Sequence, residues 1–412
     1  MPVLRAKWSG ALILQQGGAE LIKRLEEFLR RNEYARKIVK KIHELAPNAV
    51  EKTGQSPIKI MDFCGTHEYT ITHFGLRSLM PPEIELVAGP GCPVCITPAY
   101  YVDVAIKLSL EGIRVFTFGD AYKLPGSGKR GKDIRSLEEA RAAGGNVVVV
   151  YGILDAIRMA REDGKESVFF AVGFETTAPS TASPVVKGHV PRNLTIINVH
   201  RLTPPIMKYT FENHRDNPIR GVIAPGHVST IVGARAWRFV VDDYGIPTVV
   251  AGFEPIDILL AILEILRQHV EGKPRLVNEY TRVVTWEGNV IAQRQISECC
   301  EVVDAAWRGI GFVPESGLAF REKYRAVDAL HQYGIKELSP EEWKYDLPPG
   351  CKCAEVTLGL AKPTDCPHFM KTCTPGTPYG PCMVSSEGTC AVWARFGGGG
   401  LAEDIAKSLG IV

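Results

Sequence analysis

Leu86-Val87-Ala88-Gly89-Pro90-Gly91 and, much later in the chain, Gly221-Val222-Ile223-Ala224-Pro225-Gly226 read as the same local event: a short apolar run stopped by glycine and proline. Such a run is a strand that ends in a tight turn, because proline has no N–H for a sheet ladder and glycine accepts turn dihedrals. From Ile58 onward the pattern recurs. Strand ends are expected at Phe63, Ala88, Phe118 and Val150, and again at Val172, Val199, Ala224 and Ala251, with helical stretches of about ten to twenty residues between them. Alternation of this kind signals βαβ units and parallel sheets.

The intervals repeat as well as the words. Cys64 to Gly89 and Val199 to Ala224 both span 25 residues, Gly89 to Phe118 spans 29 and Ala224 to Ala251 spans 27, and Gly173-Phe174-Glu175 returns as Gly252-Phe253-Glu254. An internal duplication would produce this. The expected architecture is therefore α/β, with two similar doubly wound, Rossmann-like parallel-sheet domains at residues 57–160 and 161–265 and a site at the facing carboxyl ends of their strands. The Gly-, Pro- and Cys-rich remainder, 266–412, is expected to form a third, α+β domain. Glu20 to Leu45 has the period of an amphipathic helix (Leu21, Leu25, Phe28, Leu29, Ala35, Ile38, Ile42). Residues 1–56 are read as an extension and a helix that packs on the third domain.

Composition narrows the function classes. The chain has 412 residues, too many for one core. Lys and Arg total 48 against 46 Asp and Glu, a net charge of +2, so no field favours a polyanion and no nucleic acid is expected. No apolar run approaches the roughly 18 to 20 residues that span a bilayer, and Ala11-Leu12-Ile13-Leu14 is too short for a signal-peptide core, so no membrane partner and a cytoplasmic location are expected. In a reducing compartment eleven cysteines point to metal or redox chemistry before structural disulfides.

Six of those cysteines lie between Cys351 and Cys390. Cys351, Cys366, Cys373 and Cys390 have the spacing C-x14-C-x6-C-x16-C on Pro- and Gly-rich loops, where four thiolates can converge on a soft metal centre. Structural zinc prefers ligand pairs two to four residues apart, which these four lack, so a [4Fe–4S] cluster is favoured over zinc. Cys353 and Cys382 beside them read either as a dithiol that exchanges electrons with the cluster or as buried thiols. Cys299-Cys300 read as packing residues.

Two more thiol motifs follow predicted strands. Cys92-Pro93-Val94-Cys95 reads as a redox pair if its first sulfur meets backbone N–H groups at a helix start; half of a zinc site is the alternative. Cys64-Gly65-Thr66-His67 places a cysteine at a strand's carboxyl end, suited to ligate a metal or act as a nucleophile, with simple packing as the competing reading. Glu175 and His227 also sit at predicted strand ends, to bind a ligand or to cap helices. Leu124-Pro125-Gly126-Ser127-Gly128-Lys129 lacks the full phosphate-loop spacing and is set aside.

Taken together, Cys64-Gly65-Thr66-His67, Gly89-Pro90-Gly91-Cys92-Pro93-Val94-Cys95, Gly173-Phe174-Glu175-Thr176-Thr177, Pro225-Gly226-His227-Val228-Ser229 and the cysteine array ending in Cys382-Met383-Val384-Ser385-Ser386-Glu387-Gly388-Thr389-Cys390 resemble the HypD family of [NiFe]-hydrogenase maturation proteins, over about Ile58 to Ala391. The resemblance implies a redox-active assembly scaffold, rather than a conventional turnover enzyme, on which an Fe(CN)2CO moiety is built. It implies partners HypC, which shares the iron, and HypE, which delivers cyanide, together with an electron-donor protein. Cys64 would be an iron ligand supported by His67. Cys92 and Cys95 would be a redox pair near the iron, and Cys351, Cys366, Cys373 and Cys390 would hold the [4Fe–4S] cluster. Cys353 and Cys382 would form a disulfide beside it, a region similar to that of ferredoxin:thioredoxin reductase. A free-standing disulfide reductase of that kind is the alternative function.

Overall fold

The computed structural model describes residues 32–127, 134–214, 216, 218–343 and 346–396. Nine parallel strands fall at β1 (Ile58–Asp62), β2 (Ile84–Ala88), β3 (Arg114–Thr117), β4 (Val147–Val149), β5 (Ser167–Gly173), β6 (Leu194–His200), β7 (Gly221–Ala224), β8 (Thr248–Val250) and β9 (Leu276–Asn278). A hairpin, β10 (Cys300–Trp307) and β11 (Gly311–Phe320), follows. The central strands are apolar on both faces: every residue of β1, β5 and β7 is buried. That is what a parallel sheet covered by helices on two sides requires.

The strands form two sheets, ordered β2-β1-β7-β8-β9 and β4-β3-β5-β6. Each places its second strand outside its first and its third and fourth on the other side, so the two sheets do share one doubly wound plan. The chain is divided differently from the contiguous spans 57–160 and 161–265, however. The second sheet, with all its strands between Arg114 and His200, is inserted between β2 and β7 of the first. The physical reason lies in pairing: β1 bonds to β7 (Ile60 opposite Gly221), because the two apolar strands bury the same two layers of side chains.

The amino-terminal helix, Glu33–Thr53, is capped by the Asn32 side chain, which accepts from the Ala35 N–H at 3.0 Å, and ends on left-handed Gly54. Its buried residues Ile38, Ile42, Ala46 and Ala49 pack on the helix Pro255–Glu271 against the first sheet. The expected contact with the third domain is therefore replaced by a contact with the first sheet. Leu21, Leu25, Phe28 and Leu29 lie outside the described residues. The third unit also begins later than 266, because Pro255–Glu271 and β9 complete the first sheet. What remains is the β10–β11 hairpin and a string of short helices carrying the six clustered cysteines. The hairpin is tied to the second sheet by the Leu202 N–H to the Ser316 carbonyl, 2.8 Å, and the Asn198 amide to the Leu318 carbonyl, 2.9 Å.

Candidate functional site

β1 delivers Cys64 to the carboxyl edge of the first sheet, where it caps the helix Gly65–His73 and is buried. The loop after β2 lies directly against it. The Gly65 N–H donates to the Gly91 carbonyl at 3.2 Å, and a Cβ on Gly91 would stand 2.6 Å from the Cys64 Cα. That glycine lets the loop bearing Cys92 and Cys95 approach Cys64. Cys92 and Cys95 are joined by a disulfide, with the Cys95 N–H directed at the Cys92 sulfur at 3.2 Å.

A segment of the third unit closes over both loops. The Thr66 hydroxyl donates to Glu387 at 3.1 Å, and the Ser385 hydroxyl donates to Asp120, at the rim of the second sheet, at 2.7 Å. A Cβ on Gly388 would stand 3.1 Å from the Cys95 sulfur. The rims of both sheets and the cysteine-rich segment thus meet at Cys64.

The electrostatics of this meeting point keep Cys64 protonated in the protein alone. Burial, then Glu387, push its thiol up to about 12, against the pull of the Thr66 and His67 N–H groups at the helix start. Asp62, two residues before, is buried with neither carboxylate oxygen hydrogen-bonded; it approaches the Cys64 N–H without closing a bond. Burial first, and Glu68 next, hold its carboxyl well above the usual range. His67 is fully buried and neutral, its pKa lowered to about 4 chiefly by burial. Its Nε2 lies 2.9 Å from the Gly252 carbonyl and 3.2 Å from that of Ala251, so Nε2 carries the proton. Nδ1 is left as a lone pair with no partner. His227, expected at a strand end, is exposed and stacks on Phe253 at 3.9 Å, and Phe253 in turn meets His67 at 4.8 Å. Glu175 is turned to structure, accepting from the Thr203 N–H at 2.7 Å and hydroxyl at 2.8 Å.

The six carboxy-terminal cysteines occupy one neighbourhood. The Cys351 and Cys353 sulfurs are 3.3 Å apart, the Cys382 N–H points to the Cys353 sulfur at 3.4 Å, and the Cys390 N–H points to the Cys382 sulfur at 3.2 Å. Cys353 touches both Cys351 and Cys382 through its thiol, and Cys373 is pushed up by burial and by the nearby Cys351 and Cys366. Cys390 lies in the field of Cys353, Cys373 and Cys351. Cys353 and Cys382 are two free thiols in contact rather than the disulfide expected of them; the disulfide in this region is Cys92–Cys95. Cys299 and Cys300 are buried in the face between the second sheet and its hairpin, as packing residues.

Among the described residues no three His, Cys, Asp or Glu side chains stand in the geometry of a single bound metal ion. Gly380 leaves room among the thiols. A Cβ there would stand 2.5 Å from the Cys351 sulfur and 2.9 Å from that of Cys353. Cys351, Cys366, Cys373 and Cys390 are the thiols of this neighbourhood that could hold a soft metal centre.

Sequence reasoning missed the charged residues that hold this architecture. Glu68, 1% exposed, accepts from Arg77 at 2.5 Å, from the Trp393 indole at 2.7 Å and from Thr72 at 2.9 Å. It locks the Cys64 helix to the helix Thr389–Phe396 that bears Cys390. Asp62 left a signal, a charge closing an apolar strand; Glu68 left none.

Fold and site together define an α/β protein whose nested sheets bring a buried thiol, a disulfide and a cysteine-rich segment to one junction. Among the described residues no helix is long and apolar enough to cross a membrane. The profile of the family described as HypD, "Hydrogenase formation hypA family", matches residues 33–397. A putative hydrogenase expression/formation protein of Methanocaldococcus jannaschii is 42% identical over 88% of this chain and 96% of its own length. The hydrogenase maturation factors HypD of Cupriavidus necator and Escherichia coli are 38% and 37% identical, over 91% and 89% of this chain and 97% and 96% of theirs. The chain belongs to the HypD family of hydrogenase maturation factors.

Proposed function

We propose that this protein is the scaffold on which, together with HypC, the Fe(CN)2CO centre of a [NiFe]-hydrogenase is assembled, with HypE supplying cyanide. The observation that carries the reading is the convergence of Cys64, the Cys92–Cys95 disulfide and the six-cysteine segment at one buried junction. The iron is cargo. Cys64 would bind it as a thiolate shared with a cysteine of HypC, and its proton would leave as the metal arrives, since the metal-free site holds the thiol neutral. His67 presents a buried Nδ1 lone pair on the same helix, and so supports the ligand without adding charge.

A [4Fe–4S] cluster on Cys351, Cys366, Cys373 and Cys390 would supply single electrons. The thiol pair Cys353 and Cys382, packed in the same core cluster as Cys92 and Cys95, is suited to thiol–disulfide exchange with them. In that exchange two electrons and two protons leave Cys353 and Cys382, which become a disulfide, and reach Cys92–Cys95, which become two thiols. A reduced pair beside Cys64 keeps the iron-binding sulfur from being captured in a mixed disulfide.

The test is Cys64→Ala in protein co-purified anaerobically with HypC. The expected result is loss of the infrared CN and CO stretches and of the second iron, with the visible absorption of the cluster retained. Normal hydrogenase maturation with Cys64→Ala would overturn the proposal. Turnover of a thioredoxin-like disulfide by the purified protein with reduced ferredoxin would favour the disulfide-reductase alternative.

A further inference from the structure

Arg308 is among the largest side chains fully enclosed in the protein, 2% exposed, and both of its terminal nitrogens, Nη1 and Nη2, have no hydrogen-bond partner. Its Nε donates to the Asp346 carbonyl at 2.9 Å. The backbone fixes where the residue lies. The Arg308 N–H donates to the carbonyl of Ile96, the residue after Cys95, at 2.8 Å. A Cβ on the neighbouring Gly309 would stand 3.1 Å from the Cβ of Ala354, the residue after Cys353. Arg308 is thus wedged between the Cys92–Cys95 loop and the Cys351–Cys353 turn.

A guanidinium buried without a matching anion carries a heavy desolvation cost and persists only where something offsets it. Asp346 is the first anion in its field, but neither its carboxylate nor that of Asp103 reaches Nη1 or Nη2. Asp346 accepts from the Ala99 N–H at 2.6 Å and the Gly309 N–H at 3.0 Å, and Asp103 accepts from the Ser127 N–H at 3.1 Å. The other groups in its field are the Cys353 and Cys351 sulfurs. Neutral thiols offset little; thiolates bound to a metal cluster carry the missing negative charge.

We propose that Arg308 is the built-in counter-cation of the cysteine-bound cluster, placed on the side that faces the disulfide, and that it raises the cluster's reduction potential. This rests on the reading that Cys351, Cys366, Cys373 and Cys390 hold a [4Fe–4S] cluster. Such a cluster is anionic and gains one further negative charge when it takes one electron from a one-electron carrier, so a fixed cation stabilises the reduced form more than the oxidised. Arg308 is a positioning residue in this role. It lies between the Cys92–Cys95 loop and the Cys351–Cys353 turn, and it would make a bound cluster easier to reduce by a partner of modest potential.

The test uses the full-length protein reconstituted anaerobically, with iron and sulfide counted per chain. Midpoint potentials are read by dye-mediated titration with dithionite and followed by electron paramagnetic resonance. Arg308→Gln is expected to lower the reduced-to-oxidised ratio at a fixed potential at least tenfold, about 59 mV for a one-electron couple. Arg308→Lys should recover most of that shift, and Asp346→Asn, which removes the competing anion, should move the midpoint upward. A full cluster in Arg308→Gln with an unmoved midpoint overturns the role of Arg308 alone. If Arg308→Gln takes up no cluster, Arg308→Lys decides: a full cluster with a midpoint near that of wild type supports the proposal, and loss of the cluster with the positive charge retained overturns it. A wild-type protein that takes up no iron or sulfide overturns the cluster reading, and this one with it.

Discussion

Gly380 offers the sharpest probe of the cysteine centre, because alanine there changes one thing. Its backbone, at φ −105° and ψ 157°, is ordinary extended chain that any residue adopts, so no dihedral strain accompanies the substitution. The new methyl would stand 2.5 Å from the Cys351 sulfur, where ordinary non-bonded contact needs about 3.5–4.0 Å. The sulfur must therefore retreat by about 1 Å, several times the roughly 0.2 Å by which a metal ligand can depart from its proper distance. Overpacking of this size costs about 1–3 kcal/mol of stability, too little to unfold a protein of this size outright. Gly380→Ala should consequently fold but lose most of its iron and sulfide after anaerobic reconstitution, with the visible absorption falling in parallel. Gly376→Ala, in the same loop but with nothing nearer than 3.9 Å to the added carbon, should keep its cluster. Equal cluster content in the two variants would refute the reasoning, and with it the placement of Cys351 among the ligands.

Gly91→Ala places its methyl 2.6–2.7 Å from backbone atoms of Cys64 and Gly65, which cannot swing aside as a side chain can, so it should destabilise by about 3 kcal/mol or more in urea unfolding and part the two thiol loops. Glu68→Gln leaves the Arg77 guanidinium without its anion beside the Trp393 indole and should cost about 3 kcal/mol, whereas Glu138→Gln, at the exposed pair with Lys123, should cost less than about 1 kcal/mol. The pH dependence of stability has two opposed parts in the second sheet. Burial raises Glu175 from 4.5 to about 7, so its contribution is full below pH 4.5 and is lost as pH rises through 7, a loss of about 3 kcal/mol that Glu175→Gln should abolish. Burial lowers His200 from 6.5 to about 3, so its contribution is full above pH 6.5 and falls by about 2 kcal/mol on descending to pH 5. Urea midpoints of wild type and Glu175→Gln that run parallel from pH 5 to 8 would rule the Glu175 assignment out.

The strand ends were legible because doubly covered parallel strands are continuous apolar runs: Phe63, Ala88, Phe118, Val150, Val172, Val199, Ala224 and Ala251 each fall within one residue of an observed end. What the runs do not encode is which strand lies beside which. The matching 25-residue intervals compared β1-to-β2 within the first sheet with β6-to-β7, a step that crosses from the second sheet back to the first. The equivalence lies instead between β1, β2, β7, β8 and β3, β4, β5, β6, where no local sequence word repeats in step. The helix at residue 33 was visible by its period, but an apolar stripe does not name the surface it covers. The cysteines were readable because six thiols in forty residues have few other uses. Glu68 and Arg308 were not, because a charge in sequence reads as solvated surface until its burial is seen.

Nesting one sheet inside the other has a consequence for where chemistry can sit. The chain leaves the first sheet just after Cys95, since the helix Ala99–Leu110 already packs on the second, and it returns just after His200, since Ile206 and Met207 pack on the first. The Cys92–Cys95 disulfide therefore lies at the crossover, where the two sheets share a backbone connection. Cys64 comes from the first sheet's rim, Asp120 anchors Ser385 from the second, and the Ile96 carbonyl holds Arg308 from the third unit. Each group on its own is an ordinary feature of an α/β strand end. The crossover brings all three units within hydrogen-bond reach of one another, and the loop that joins the sheets is the loop that carries the Cys92–Cys95 disulfide.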